Sequence, residues 1–165
     1  MAALTVGTMA PDFRLPTMDG KQFSLKEALA QGPVLAAFFK ISCPVCQFTF
    51  PFLERIYQAY GNRKITMVGI SQNSKKDTAA FLKEYGVTFP VLLDDTESYP
   101  ASNAYGLTNV PSLFWIGQDG QIEISSVGWM RKDMEEINQR ASEVSSEKLR
   151  VMFSPGENVP EFRPG

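Results

Sequence analysis

Two cysteines, Cys43 and Cys46, stand together as Cys43-Pro44-Val45-Cys46, and they are the only cysteines in the chain. They follow the apolar run Val34-Leu35-Ala36-Ala37-Phe38-Phe39. A continuous apolar run of this length reads as a strand buried on both faces. After the second cysteine, Phe48, Phe52, Leu53, Ile56, Tyr57 and Tyr60 recur at helical spacing. The pair therefore falls on a strand-to-helix turn, with the first thiol over a helix N-terminus. The unpaired N–H groups and positive dipole end there favour negative charge on the sulfur. Two intervening residues keep the second sulfur close enough to close a small disulfide ring. The chemistry such a pair supports is thiol–disulfide exchange.

Other uses of a C-x-x-C pair meet obstacles. A structural zinc takes four ligands, and this chain has no third cysteine and no histidine. A c-type haem attachment needs histidine after the second cysteine, where Gln47 stands. No metal and no cofactor beyond the Cys43–Cys46 couple is expected. Two inert buried thiols remain the plain structural alternative.

The elements that must position the pair can be read along the chain. Residues 12–15 and 21–23, joined across Met18-Asp19-Gly20, suggest an N-terminal hairpin. Ser24 with Glu27 forms a capping box that opens a short helix, with Gly32 as its stop. A strand over 33–39 and a helix over 44–60 follow, and Pro51 removes one bond inside that helix and should kink it. Residues 65–70 form a second buried strand. Ser74 and Asp77 cap a helix through Tyr85 that Gly86 ends. A third strand at 89–93 and a short helix around 99–105 lead to strands at 112–116 and 121–127, joined by Gln118-Asp119-Gly120. Met134, Ile137, Ala141 and Val144 mark a last amphipathic helix. Strands alternating with helices, then a closing hairpin, imply an α/β layer with a mixed sheet.

At 165 residues the chain fits one domain over residues 1–150 with a Pro/Gly-rich tail over 151–165. The tail is expected to be disordered or loosely docked. Its Phe153, Val159 and Phe162 would also permit an extended arm on its own domain or a neighbour. A net charge of −2 argues against nucleic acid or an anionic membrane as partner. The first residues carry no basic or long apolar stretch, so a cytoplasmic location is expected, or a periplasmic one if a leader was removed.

The segments APDFRL, DGKQFSL, FFKISCPVCQFTFPFLE, ITMVGIS, YGVTFPVLLDD and YGLTNVPSLFWIGQDGQI together resemble the thioredoxin superfamily. The resemblance is to the branch that holds TlpA/ResA-type thiol–disulfide oxidoreductases and the AhpC/TSA peroxiredoxins, and covers residues from about 7 to 140. It implies a thioredoxin-like fold, a central mixed sheet flanked by helices. Val110-Pro111 matches the superfamily's cis-proline, which faces the cysteines. The Val110 backbone would then pair with an extended substrate strand. The resemblance makes Cys43 the nucleophile and Cys46 the resolving thiol, and places Trp129 at the rim of the same site. Disulfide- or thiol-bearing substrates and a reductant such as thioredoxin or glutathione are the implied partners.

Three positions depart from the pattern. The carboxylate that serves the second thiol in related proteins is replaced by Ala37 at one of its two known places and by Thr49 at the other. Water, or Lys40, would have to take that role, although a strand-end lysine is ordinarily solvated. Ser42 stands where tryptophan commonly precedes the motif. Pro44 suits a first helical position, since its missing N–H would be unpaired there anyway. A two-cysteine thiol peroxidase is the rival enzyme, but the peroxidatic proline, threonine and arginine positions hold Ala36, Lys40 and Pro111. A redox-regulated binding module is the non-enzyme rival.

Overall fold

The computed structural model describes residues 3–61 and 64–165. The expected hairpin is present as β1 (Arg14–Pro16) against β2 (Gln22–Ser24). Ser24 caps α1 (Leu25–Leu29), its hydroxyl accepting the Glu27 N–H at 3.2 Å. That helix is shorter than expected and ends with Ala30 as its cap, before Gly32.

The central strand is β3 (Val34–Phe39), buried at all six positions. It leads into α2 (Pro44–Tyr60), which runs through Pro51 as one helix. Next come β4 (Thr66–Ser71), α3 (Lys75–Tyr85), β5 (Val91–Leu93) and α4 (Pro100–Ala104). Ser74 and Gly86 bound α3 as the sequence suggests, the glycine at φ 66°. Then β6 (Ser112–Ile116), β7 (Ile122–Val127) and the short β8 (Trp129–Met130) precede α5 (Arg131–Ser145). A last strand, β9 (Phe162–Arg163), lies in the tail.

The main sheet has the order β5-β4-β3-β6-β7. β3 pairs parallel with β4 and antiparallel with β6, so the sheet is mixed. Strand alternation divides the core in two. Leu35, Ala37, Phe39, Leu113 and Trp115 pack with the apolar faces of α2 and α5. Val34, Ala36, Phe38 and Phe114 pack on the other side with Leu15, Leu25 and Tyr105. Because both faces are covered, every β3 residue is apolar and none alternates with a polar one. This is a thioredoxin-like fold with an N-terminal hairpin added.

Residues 151–165, expected to be disordered or loosely docked with an arm on their own domain as the alternative, lie on the domain and are anchored at scattered points. Met152 is buried, and Phe153 packs on Phe52 and Trp129. The Arg55 guanidinium donates to both carboxylate oxygens of Glu157, at 2.8 and 2.7 Å, and to the Met152 carbonyl at 3.1 Å. Trp129 Nε1 donates to the Pro160 carbonyl at 2.7 Å. β9 then pairs antiparallel with β8 in the register Trp129↔Arg163 and Met130↔Phe162. The contacts come singly from scattered anchors, a pattern without period, which is why periodicity gave no signal.

Hydrogen bonding from Arg55 and then from the Ser154 backbone holds the Glu157 carboxyl at about 2. A folded value below the unfolded 4.5 makes this contribution to docking complete above pH 4.5 and lost as pH falls toward 2. Stability to urea should therefore decline across that window slightly more in the wild type than in Glu157→Gln, since the pair is partly exposed and screened by solvent. Parallel pH curves for the two would separate Glu157 from tail docking.

Candidate active site

Cys43 is the N-cap of α2, with extended backbone at φ −86° and ψ 114°. Its sulfur accepts the Cys46 N–H at 3.2 Å, in the place where a serine or aspartate oxygen would cap an ordinary helix. Pro44 occupies the first turn and is exposed. The turn before the helix is clamped from two sides. Asn73 Oδ1 accepts the Ile41 N–H at 3.0 Å, and Gln47 Nε2 donates to the Ile41 carbonyl at 2.9 Å. Neither Asn73 nor Gln47 was visible as a positioning residue in the sequence, since their partner is backbone.

The two thiols have different surroundings. Cys43 is partly exposed and Cys46 is fully buried; both are free. Burial pushes the Cys46 thiol well above its ordinary 9.0, and the adjacent Cys43 adds to the effect by hydrogen bonding and charge. The Lys40 backbone opposes the rise. The Lys40 side chain is exposed, as solvated strand-end lysines are. Thr49 is buried, and its hydroxyl donates to the Val45 carbonyl at 2.7 Å. Ala37 lies in the sheet core. Among the described residues no carboxylate acts on Cys46.

Val110-Pro111 is a cis peptide. The Cys43 Sγ donates to the Val110 carbonyl at 3.4 Å, so this loop and the cysteine turn meet. The Val110 N–H has no hydrogen-bond partner among the described residues. A backbone edge with one free donor beside a partly exposed thiol can seat an extended chain.

Trp129 is placed otherwise than the rim position implied. It is 0% exposed, its ring set among Phe48, Phe52 and Phe153. The tail covers it and takes its N–H. An apolar indole beside three phenylalanines is more stable in the core than at a wet rim. Phe48 continues this cluster and carries the Arg163 guanidinium at 5.0 Å from its ring centre. Trp115 shares the α2 side of the sheet with Cys46. Phe48, Arg163 and the tail beside Val110 are the parts of this surface that sequence reasoning missed.

Comparison with known proteins agrees with the geometry. A model of the AhpC/TSA family matches residues 6–125. The thioredoxin-like protein YneN of Bacillus subtilis is 32% identical over 136 residues, covering 79% of this chain and 76% of that protein. The thiol-disulfide oxidoreductase ResA of Geobacillus thermodenitrificans is 27% identical over 143 residues, 86% of this chain and 79% of that protein. Among solved structures, a thiol:disulfide interchange protein of the thioredoxin family from Chlorobium tepidum superposes with a TM-score of 0.67 at 28% identity, covering 87% of this chain and 99% of that one. The family match spans more than half the sequence, and the chain belongs to the AhpC/TSA family.

Proposed function

We propose that Cys43 and Cys46 cycle between dithiol and disulfide, with Cys43 as nucleophile and Cys46 as resolving thiol. The chain is a thiol–disulfide oxidoreductase, and its substrates bear thiols or disulfides. The observation that carries the assignment of roles is the contrast at one turn. The Cys43 sulfur is partly exposed and caps a helix, while Cys46 lies buried beneath it.

In the reducing direction the Cys43 thiolate attacks one sulfur of a substrate disulfide. A Cys43–substrate disulfide forms, and the other substrate sulfur leaves as thiolate. Cys46, deprotonated, then attacks the Cys43 sulfur. The Cys43–Cys46 disulfide forms and the second substrate thiolate leaves, so two electrons pass to the substrate. The oxidising direction is the reverse. The free Val110 N–H supports substrate binding by short strand addition. The redox-active disulfide serves as the sole cofactor, and a small thiol such as glutathione or a thioredoxin restores the dithiol.

A peroxidase must place donors to polarise the O–O bond. Among the described residues no guanidinium and no hydroxyl is hydrogen-bonded to Cys43. Its second-order rate with hydrogen peroxide should therefore match that of an ordinary thiolate, and a rate orders of magnitude higher would restore the peroxidase reading.

Cys46→Ser should accumulate a mixed disulfide on Cys43 when mixed with insulin, and Cys43→Ser should give no exchange. Trapping on Cys46 in Cys43→Ser would reverse the roles. The buried thiol adds a pH signature. Its folded value lies above the unfolded 9.0, so the folded state keeps a proton that the unfolded chain releases. The reduced protein should lose stability as pH rises through 9.0, by up to about 1.4 kcal/mol per pH unit. Urea unfolding of the reduced wild type against Cys46→Ala isolates this term, and parallel pH curves for the two would count against it.

A further inference from the structure

The 147–165 segment reaches the thiol site. Its last strand, β9, is paired with β8, and beyond it Gly165 packs directly on the Val110 carbonyl. A Cβ built on Gly165 would lie 2.3 Å from that oxygen. The Asn109 side chain donates to the Gly165 carbonyl at 3.2 Å and holds it there. The Val110 oxygen is thus touched by the Cys43 sulfur and by the tail. Upstream, a Cβ on Gly128 would lie 2.5 Å from the Arg163 carbonyl. Two glycines, one on each chain segment, permit the close approach.

We propose that residues 161–165 are a specificity element of this site: they hold the place beside Val110 that an extended peptide would take, so small disulfides reach Cys43 freely and protein disulfides only when the segment swings away. The proposal rests on the strand-addition reading of Val110 given above. The segment is built to release locally. Glu161, Phe162, Pro164 and Gly165 are exposed, with Phe162 at 53%, so no large side chain anchors them. Met152 and Phe153, buried or packed on the core, keep the stem in place while residues 161–165 move. What holds residues 161–165 is a two-residue ladder, the Arg131 N–H to the Glu161 carbonyl at 2.9 Å, an exposed Arg131–Glu161 pair, the Asn109 bond and the Arg163 guanidinium over Phe48. The Phe48 ring and the β8 edge would be the surfaces bared to an incoming chain. They suit a substrate with an extended backbone and an apolar or cationic side chain.

The test uses the full-length chain in a Cys46→Ser background, where Cys43 is the one thiol. Its alkylation rate is measured with N-ethylmaleimide and with a maleimide carried on an extended peptide. Gly165→Val drives a side chain into the Val110 oxygen and should expel the segment. Arg163→Ser removes the contact with Phe48 and should loosen it. Both should raise the peptide-to-small-reagent rate ratio, Gly165→Val by about fivefold or more, because reactivity toward the larger reagent scales with the open fraction. An unchanged or lowered ratio in Gly165→Val overturns the proposal. Near-native circular dichroism checks that the fold is kept. Exchange with 2-hydroxyethyl disulfide and with insulin is then followed in the same variants with Cys46 restored. No exchange with either disulfide in any form would refute the oxidoreductase reading, while the alkylation ratio still decides the role of the segment.

Discussion

Cys43 does two jobs at once, closing a helix and presenting a partly exposed sulfur beside Val110. The first turn of a helix leaves N–H groups without partners, and here the Cys46 N–H is taken by Cys43 Sγ. For the same sulfur to meet Val110, the end of β3 must lie beside the start of β6. Antiparallel pairing does this, because it sets the last residues of one strand against the first of the other, with Phe38 opposite Ser112. The cysteine turn follows β3 and the Val110 loop precedes β6, so both emerge at one end of the sheet. Register is what holds them there. A one-residue slip would turn Leu35 and Ala37 toward the opposite layer, and both layers are filled. The large apolar content of β3 is therefore a condition of the chemistry as well as of stability.

The missing carboxylate changes how the second thiol can be activated. Thr49 spends its hydroxyl on the helix carbonyl of Val45, and Ala37 has nothing to offer. Three influences raise Cys46: burial, the hydrogen bond with Cys43 and the charge of Cys43. On the proposed cycle, a mixed disulfide at Cys43 removes any charge there and leaves burial, the largest of the three influences, as the main barrier to ionising Cys46.

Much of this was legible in the sequence because it is written in local patterns. The buried run before Cys43, the helical spacing after Cys46 and the capping residues Ser24 and Ser74 each act on their own neighbours, and the elements followed. Val110-Pro111 was legible through family resemblance, since nothing local says which loop meets the thiols. Trp129 was misplaced at the rim because its burial depends on Phe153 and Pro160, distant in the chain and on a segment without period. β9 was missed for the same reason. A two-residue strand has no alternation to read, and its existence depends on β8 offering an edge. Asn73 and Gln47 were invisible because each binds the backbone of Ile41, and backbone partners leave no complementary residue type in the sequence.

The tail also shows how the contacts of one segment change along its length. The stem joins an apolar cluster, with Phe153 against Phe52 and Trp129 and with Met152 buried. Burial of one such side chain is worth about 1.5–3 kcal/mol. The Arg55–Glu157 pair adds little by comparison, because it is partly exposed and screened by solvent. Beyond Pro160 buried side chains give way to hydrogen bonds, each worth about 1 kcal/mol net, an exposed Arg131–Glu161 pair and the Arg163 guanidinium over Phe48. Ordering each residue costs a similar amount or more. Docking free energy per residue is therefore smaller near Val110 than at the stem. A uniform apolar tail would seal the groove, and a wholly polar one would leave Trp129 bare. This gradient keeps the indole covered at the stem and makes the residues beside Val110 the more weakly held part of the segment.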